Sequence, residues 1–106
     1  MRVRRIKLNE ELLTQKVKVA YRCKPVGFSC RYAEPFVFVM EDPNAKESVL
    51  MDFTIIKSSD ELPQRFINHR DCGDNLIYVG TTSLSDRDGS SVDLHLFYNP
   101  ITEFMV

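Results

Sequence analysis

A chain of 106 residues, 43% hydrophobic and 27% charged, has the length and composition of one globular domain rather than of a disordered segment. Its longest apolar run, at 36–40, is far shorter than the roughly 20 residues of a membrane span, and no apolar stretch of signal-peptide length follows the basic N-terminus. Three cysteines suit a secreted disulfide scaffold poorly. We therefore expect one soluble, cytoplasmic domain covering residues 1–106, with reduced thiols.

The net charge of −1 hides a division along the chain. Residues 1–32, here called the basic segment, carry nine basic and two acidic side chains and a net charge of +7, and the remainder carries −8. Either cross-strand ion pairs absorb this difference, or a basic face stays exposed and docks an acidic partner or a second copy; we favour the exposed face. The candidate binding residues in the basic segment are Arg2, Arg4, Arg5, Lys16, Lys18, Arg22 and Arg31.

The basic segment predicts three strands. Residues 2–8, RVRRIKL, suit an edge strand whose basic side chains discourage unwanted edge pairing. Apolar and polar residues alternate over 14–23 and again over 26–32, which is typical of strands with one solvated face. Between the first two strands, Asn9 is suited to cap a short helical turn over 9–13.

The middle of the chain predicts a hairpin of two strands. Residues 35–42, PFVFVMED, are apolar on both faces and predict a central strand covered on both sides. Asp42, Pro43 and Asn44 supply turn chemistry. Residues 48–56, SVLMDFTII, then alternate again, so we expect these two strands to pair with each other.

The period changes over 58–73, where apolar residues are spaced for one face of a short helix. Ser59 or Asp60 is suited to cap its start, and Gly73 to follow its end. The fold class predicted from all these elements is α+β, mainly β, with about six mostly antiparallel strands and one or two short helices.

Two further apolar runs, at 75–83 and 92–98, flank a polar tip at 85–91, and apolar and polar residues alternate over 92–98. An Asp-Gly pair at 88–89 favours a tight turn, because Gly accepts a positive φ without strain. We interpret the tip as the turn of a hairpin and keep a binding role as the alternative. Its charged candidates for binding are Asp86, Arg87 and Asp88.

Two stretches of the sequence contain three short motifs. They are an aromatic-rich strand that ends in an acidic-Pro turn, here Phe38–Pro43, a strand containing Tyr78–Thr81, and a final strand ending near His95–Phe97. In these motifs the sequence resembles a group of small phage-encoded proteins of unknown function. The resemblance implies a phage or prophage origin and brings no catalytic residues with it. The basic segment departs from the pattern.

The metal-binding candidates are Cys23, Cys30, His69 and Cys72, since thiolate and imidazole are ligands that zinc prefers. Structural zinc sites usually present two close pairs, and only His69 and Cys72 have that spacing. We therefore predict small buried thiols and no metal or cofactor.

No nucleophile, phosphate-binding or dinucleotide motif is present, and the chain has only two histidines, so we predict no catalytic residues. The function we predict is a small non-enzymatic binding protein that binds and inhibits a host factor, such as a defence component. A nucleic-acid-binding module using the basic segment is the alternative, although a pI near 6.1 is low for such modules.

Overall fold

A computed structural model describes residues 1–58, 76–85 and 89–104. These residues form seven strands of six residues or more and one two-residue strand, and every strand pair is antiparallel. The strands are β1 Arg2–Lys7, β2 Thr14–Ala20, β3 Cys23–Arg31, β4 Glu34–Glu41, β5 Ser48–Lys57, β6 Ile77–Ser85, β7 Ser91–Tyr98 and β8 Glu103–Phe104.

The strands form two sheets. Sheet A has the order β1-β4-β3, and sheet B has the order β2-β5-β7-β6, with β8 also pairing with β5. The inner faces of the two sheets pack together around one core, which includes Val37 and Val39 of β4 and Phe53 of β5, each fully buried. The described residues are therefore mainly β, as the alternating patterns predicted, and they form eight strands where about six were expected.

The predicted pairing of 35–42 with 48–56 is wrong. β4 lies at the centre of sheet A between β1 and β3, whereas β5 lies in sheet B. The turn after β4 does reverse the chain, and the Asp42 side chain accepts a hydrogen bond from the Asn44 backbone at 2.9 Å. However, local turn chemistry does not decide which sheet the next strand joins, and here the chain crosses from one sheet to the other.

β4 pairs instead with β3 through the turn at Tyr32 and Ala33, which have φ values of 53° and 63°. Left-handed backbone is uncommon for residues other than Gly, so the sequence carried no turn signal here. Within β3 the register shifts between Pro25 and Gly27, and Val26 is the extra residue of this bulge.

The predicted helices are not seen in the described ranges. Residues 9–13 form a turn in which the Asn9 side chain accepts a hydrogen bond from the Glu11 backbone at 3.0 Å, so Asn9 caps a turn rather than a helix. The predicted helix at 58–73 falls almost wholly outside the described residues. None of the described segments is a helix of the length and hydrophobicity needed to cross a membrane.

The predicted hairpin near the C-terminus is confirmed by the pairing of β6 with β7, which runs from Ile77–Tyr98 to Ser85–Ser91. Gly89 has a φ of 86°, the conformation for which Gly was expected. Asp86, Arg87 and Asp88 lie outside the described residues.

Candidate binding surface

The outer face of sheet A combines aromatic rings with arginines. Phe36 and Phe38 project from the central strand away from the core and are half-buried. The guanidinium carbon of Arg5, on β1, lies 4.6 Å from the centroid of the Phe36 ring. That of Arg31, at the end of β3, lies 5.8 Å from the centroid of Phe38. We call these four residues the Arg–Phe face.

The Arg–Phe face is basic and partly apolar at its margins. Lys24 is exposed on β3, and Lys7 on β1 is paired with Glu34 at 2.8 Å. The side chains of Val3 and Val26 remain 59% and 48% exposed. A guanidinium that lies over an aromatic ring can still donate its N–H groups to carboxylate or phosphate oxygens.

The inner face of β1 has a different arrangement around Arg4. Its Nε lies 2.9 Å from Oε1 of Glu41, without the alignment of a hydrogen bond, and its Nη2 donates to Oε2 at 3.2 Å and to the Lys18 carbonyl at 2.8 Å. Glu41 is 2% exposed, and its Oε2 also accepts a hydrogen bond from the Ala20 backbone at 2.8 Å. This Arg4–Glu41 junction ties sheet A to β2 of sheet B.

The basic segment therefore does not form one face. Of the candidate binding residues, Arg5 and Arg31 belong to the Arg–Phe face, whereas Arg4 belongs to the junction. Arg2 is exposed and lines a cleft beside the junction. The side chain of Arg4 holds the two sheets together, and its role in binding stays a prediction.

The other basic candidates lie elsewhere on the molecule. Lys16 and Lys18 point to the outer face of sheet B, where Lys16 Nζ lies 3.9 Å from a carboxylate oxygen of Asp52 on the neighbouring strand. Arg22 lies in the connection from β2 to β3, and its carbonyl accepts a hydrogen bond from the Asp42 backbone N–H at 3.1 Å. Cross-strand pairs thus absorb part of the charge division that we expected to remain exposed.

A chain of side-chain hydrogen bonds crosses the outer face of sheet B. His95 Nε2 lies 2.9 Å from Ser58 Oγ, and His95 Nδ1 lies 2.9 Å from Thr81 Oγ1, which is itself bonded to the Tyr78 hydroxyl. The Ser58 backbone N–H donates to the Asp93 carbonyl at 3.0 Å, which fixes the serine at the end of β5.

These hydrogen bonds place a serine and a histidine within hydrogen-bond distance of each other, as nucleophilic catalysis requires. The histidine is oriented by the hydroxyl of Thr81, which stabilises an imidazolium less than the carboxylate found in catalytic triads. The contact was not predictable from the sequence, because Ser58 and His95 are far apart in the chain and only the register Ile56–His95 of β5 with β7 brings them together.

The cysteines of β3 are partly buried free thiols. Burial is the main cause that raises the pKa of both Cys23 and Cys30 above the usual value, and Glu41 contributes at Cys23. The two residues are separated by most of the length of β3, roughly 20 Å at the rise of an extended strand, so they do not ligate one metal ion. His69 and Cys72 lie outside the described residues, which hold no cluster of three metal-binding side chains.

Comparison with known proteins finds no matching family model, no matching curated protein and no matching solved structure.

The aromatic residues of the Arg–Phe face were missed as binding candidates. The sequence did contain a feature that points to them. Residues 35–42 are apolar on both faces, whereas a central strand of a two-layer fold needs apolar residues on one face only. In the described part of the chain, the expectation that another layer covers the second face is wrong. Sheet A instead leaves these rings under the two arginine side chains.

Proposed function

We propose that this chain is a non-enzymatic binding protein that docks an acidic surface of a partner protein on the Arg–Phe face. The observation that carries the proposal is the position of the Arg5 and Arg31 guanidinium groups over the rings of Phe36 and Phe38. Aromatic residues and arginine are enriched in the centres of protein interfaces and supply most hot spots. An arginine already ordered on a ring loses less conformational entropy when it binds a carboxylate.

The partner we propose is a host protein, which the chain binds and inhibits. This part rests on the resemblance of Phe38–Pro43, Tyr78–Thr81 and His95–Phe97 to small phage-encoded proteins. A host defence component is the class of target that we favour. Inhibition would follow from steric coverage of an acidic working surface, and such coverage requires no catalytic group on this chain.

Nucleic acid is the second candidate, because aromatic rings and arginines on a sheet face are also found in proteins that bind single strands. Two observations favour a protein partner. The guanidinium groups of Arg5 and Arg31 already lie over the rings of Phe36 and Phe38, so a base would have to displace them to stack there. The exposed side chains of Val3 and Val26 add apolar area, which suits a protein surface better than phosphates.

The test is capture of partners from a bacterial lysate, with and without nuclease, by the wild-type chain and two charge-reversed variants. Arg5→Glu/Arg31→Glu reverses two cations of the Arg–Phe face, and Lys16→Glu/Lys18→Glu is the matched control on sheet B. We expect a protein partner whose capture survives nuclease treatment. The wild type and the Lys16→Glu/Lys18→Glu control should both retain it, and Arg5→Glu/Arg31→Glu should bind it about tenfold or more weakly.

Raising the salt concentration should weaken the same capture, because ions screen charges over about 8–10 Å near physiological ionic strength. Retention of the protein by Arg5→Glu/Arg31→Glu would contradict the proposal. Bound material that disappears with nuclease would instead support the nucleic-acid alternative.

A further inference from the structure

Strand β1 has one open side. In the described part of the chain it pairs with β4 alone, because it is the terminal strand of sheet A. Its residues are exposed, apart from the half-buried Ile6. At the opposite edge of sheet A, by contrast, β3 lies against β6 of sheet B, and the Cys30 backbone N–H donates to Thr82 Oγ1 at 3.1 Å.

The register shows which backbone groups of β1 face outward. Leu8 continues the pairing of β1 with β4, and its N–H donates to the Pro35 carbonyl at 2.9 Å. Residues of an antiparallel pair alternate between bonding the partner strand and pointing away from it. Arg2, Arg4 and Ile6 therefore bond β4.

By the same alternation, the N–H and C=O groups of Val3, Arg5 and Lys7 point to the open side. The rule can be checked at the other edge of the sheet. It requires that Cys30, which is opposite Pro35, direct its N–H away from β4, and this N–H is the one bonded to Thr82.

The residues with outward-facing backbone are also those with side chains on the outer face of sheet A. Arg5 belongs to the Arg–Phe face, and Lys7 and Val3 lie beside it along the strand. A strand added next to β1 would place its own side chains directly against theirs. Acidic side chains fit there, whereas β1 of a second copy would bring like charges into register and is disfavoured.

We propose that the open edge of β1 accepts an extended acidic segment of the partner as an antiparallel fourth strand of sheet A. This inference rests on the proposed function and specifies its mode. The backbone groups of Val3, Arg5 and Lys7 bond the incoming strand. Its acidic side chain opposite Arg5 pairs with that arginine, whereas Lys7 is already paired with Glu34. Edge addition of this kind gives affinity through main-chain bonds and specificity through alternate side chains.

The experiment uses a synthetic peptide of about nine residues, enough to span β1, with Glu and Thr alternating. Residues directly opposite each other in an antiparallel bonded pair share a face, so the Glu amides of the peptide should be the ones that bond β1. We expect the peptide to bind in a salt-sensitive way, as measured by calorimetry or fluorescence anisotropy. N-methylation of the Glu amides should lower its affinity by about tenfold or more.

N-methylation of the Thr amides is the matched control and should leave binding nearly unchanged. A peptide with Lys in place of Glu should not bind the wild type. The proposal is overturned if the acidic peptide does not bind, or if both N-methylated peptides bind as well as the parent.

Failure of this proposal is distinguishable from failure of the proposed function. If Arg5→Glu/Arg31→Glu loses the lysate partner but the acidic peptide does not bind, the Arg–Phe face is the docking surface and strand addition at the edge of β1 is refuted. If the peptide binds as expected but no nuclease-resistant protein is captured, the edge proposal stands and the proposed function fails.

Discussion

Arg4 and Arg5 are neighbours on β1 with identical side chains, but they face opposite sides of sheet A. Arg4 points inward, where it pairs with the buried carboxylate of Glu41 and bonds the Lys18 carbonyl of sheet B. Arg5 points outward and lies over the ring of Phe36. Among the described residues, no carboxylate forms an ion pair with Arg5.

This comparison separates charge used for folding from charge available for binding. Both arginines contribute equally to the net charge of the basic segment. They differ only in the side of the strand on which each side chain lies. Replacing the inward arginine should therefore lower stability, and replacing the outward arginine should lower binding.

The largest expected effect is that of Arg4→Met. It leaves the buried carboxylate of Glu41 without its counter-charge. Because the Arg4 side chain is 43% exposed, we expect a cost of about 2–3 kcal/mol of unfolding free energy, below that of a fully buried pair. Arg5→Met is the control, with an expected change of less than about 1 kcal/mol because its site is exposed. Urea denaturation of both variants measures the difference, and equal stabilities would refute the assignment of Arg4 to the junction.

The hydrogen bond between β3 and β6 should contribute less to the free energy of unfolding than the Arg4–Glu41 junction does. Thr82→Val keeps the shape of the side chain but removes the acceptor for the Cys30 N–H, so we expect a loss of about 1–2 kcal/mol. Thr81→Val, the neighbouring substitution on the outer face of sheet B, should cost less because water can replace its hydroxyl beside His95. If Thr81→Val is less stable than Thr82→Val, the hydrogen bonds of Thr81 on the outer face of sheet B contribute more to stability than the bond between β3 and β6.

The thiols of β3 provide a pH-dependent test. Burial raises the pKa of Cys23 and Cys30, so both should react with iodoacetamide near pH 9 more slowly in the folded chain than in urea. A pKa raised by folding contributes stability that is present below the unfolded pKa and is lost as the pH rises through the folded pKa. Peptide mapping separates the thiols, and equal rates with and without urea would contradict their partial burial.

The smallest expected effect is on sheet B. Lys16 and Asp52 are 3.9 Å apart and both partly exposed, so Lys16→Met should cost at most about 0.5 kcal/mol. Thermal melting measures this change. A loss of partner binding in this variant would move the docking surface from the Arg–Phe face to sheet B.

The predictable part of the fold was that governed by local alternation. The period-2 patterns of β2 and of the β6–β7 hairpin predicted strands that the structure confirms. The pairing of β4 was not predictable in this way, because a strand apolar on both faces shows no preferred side. The turn that joins β4 to β3 also lacks Gly, so nothing local marked that hairpin.

The candidate site was predictable only in its composition. Arg5 and Arg31 were named from charge, but they come close to Phe36 and Phe38 through the pairing of three strands that are not all adjacent in sequence. The junction depends on Arg4 and Glu41, which are 37 positions apart. Such long-range contacts follow from strand order, which charge counting does not provide.

The most direct test of the binding surface is amide hydrogen exchange of the chain, residue by residue, with and without the alternating Glu-Thr peptide. We expect the amides of Val3, Arg5 and Lys7 to exchange quickly in the free chain and to become protected when the peptide binds. Those of Arg4 and Ile6, already bonded to β4, should not change. Protection of β6 and β7 instead, or no protection along β1, would contradict the assignment of binding to this side of sheet A.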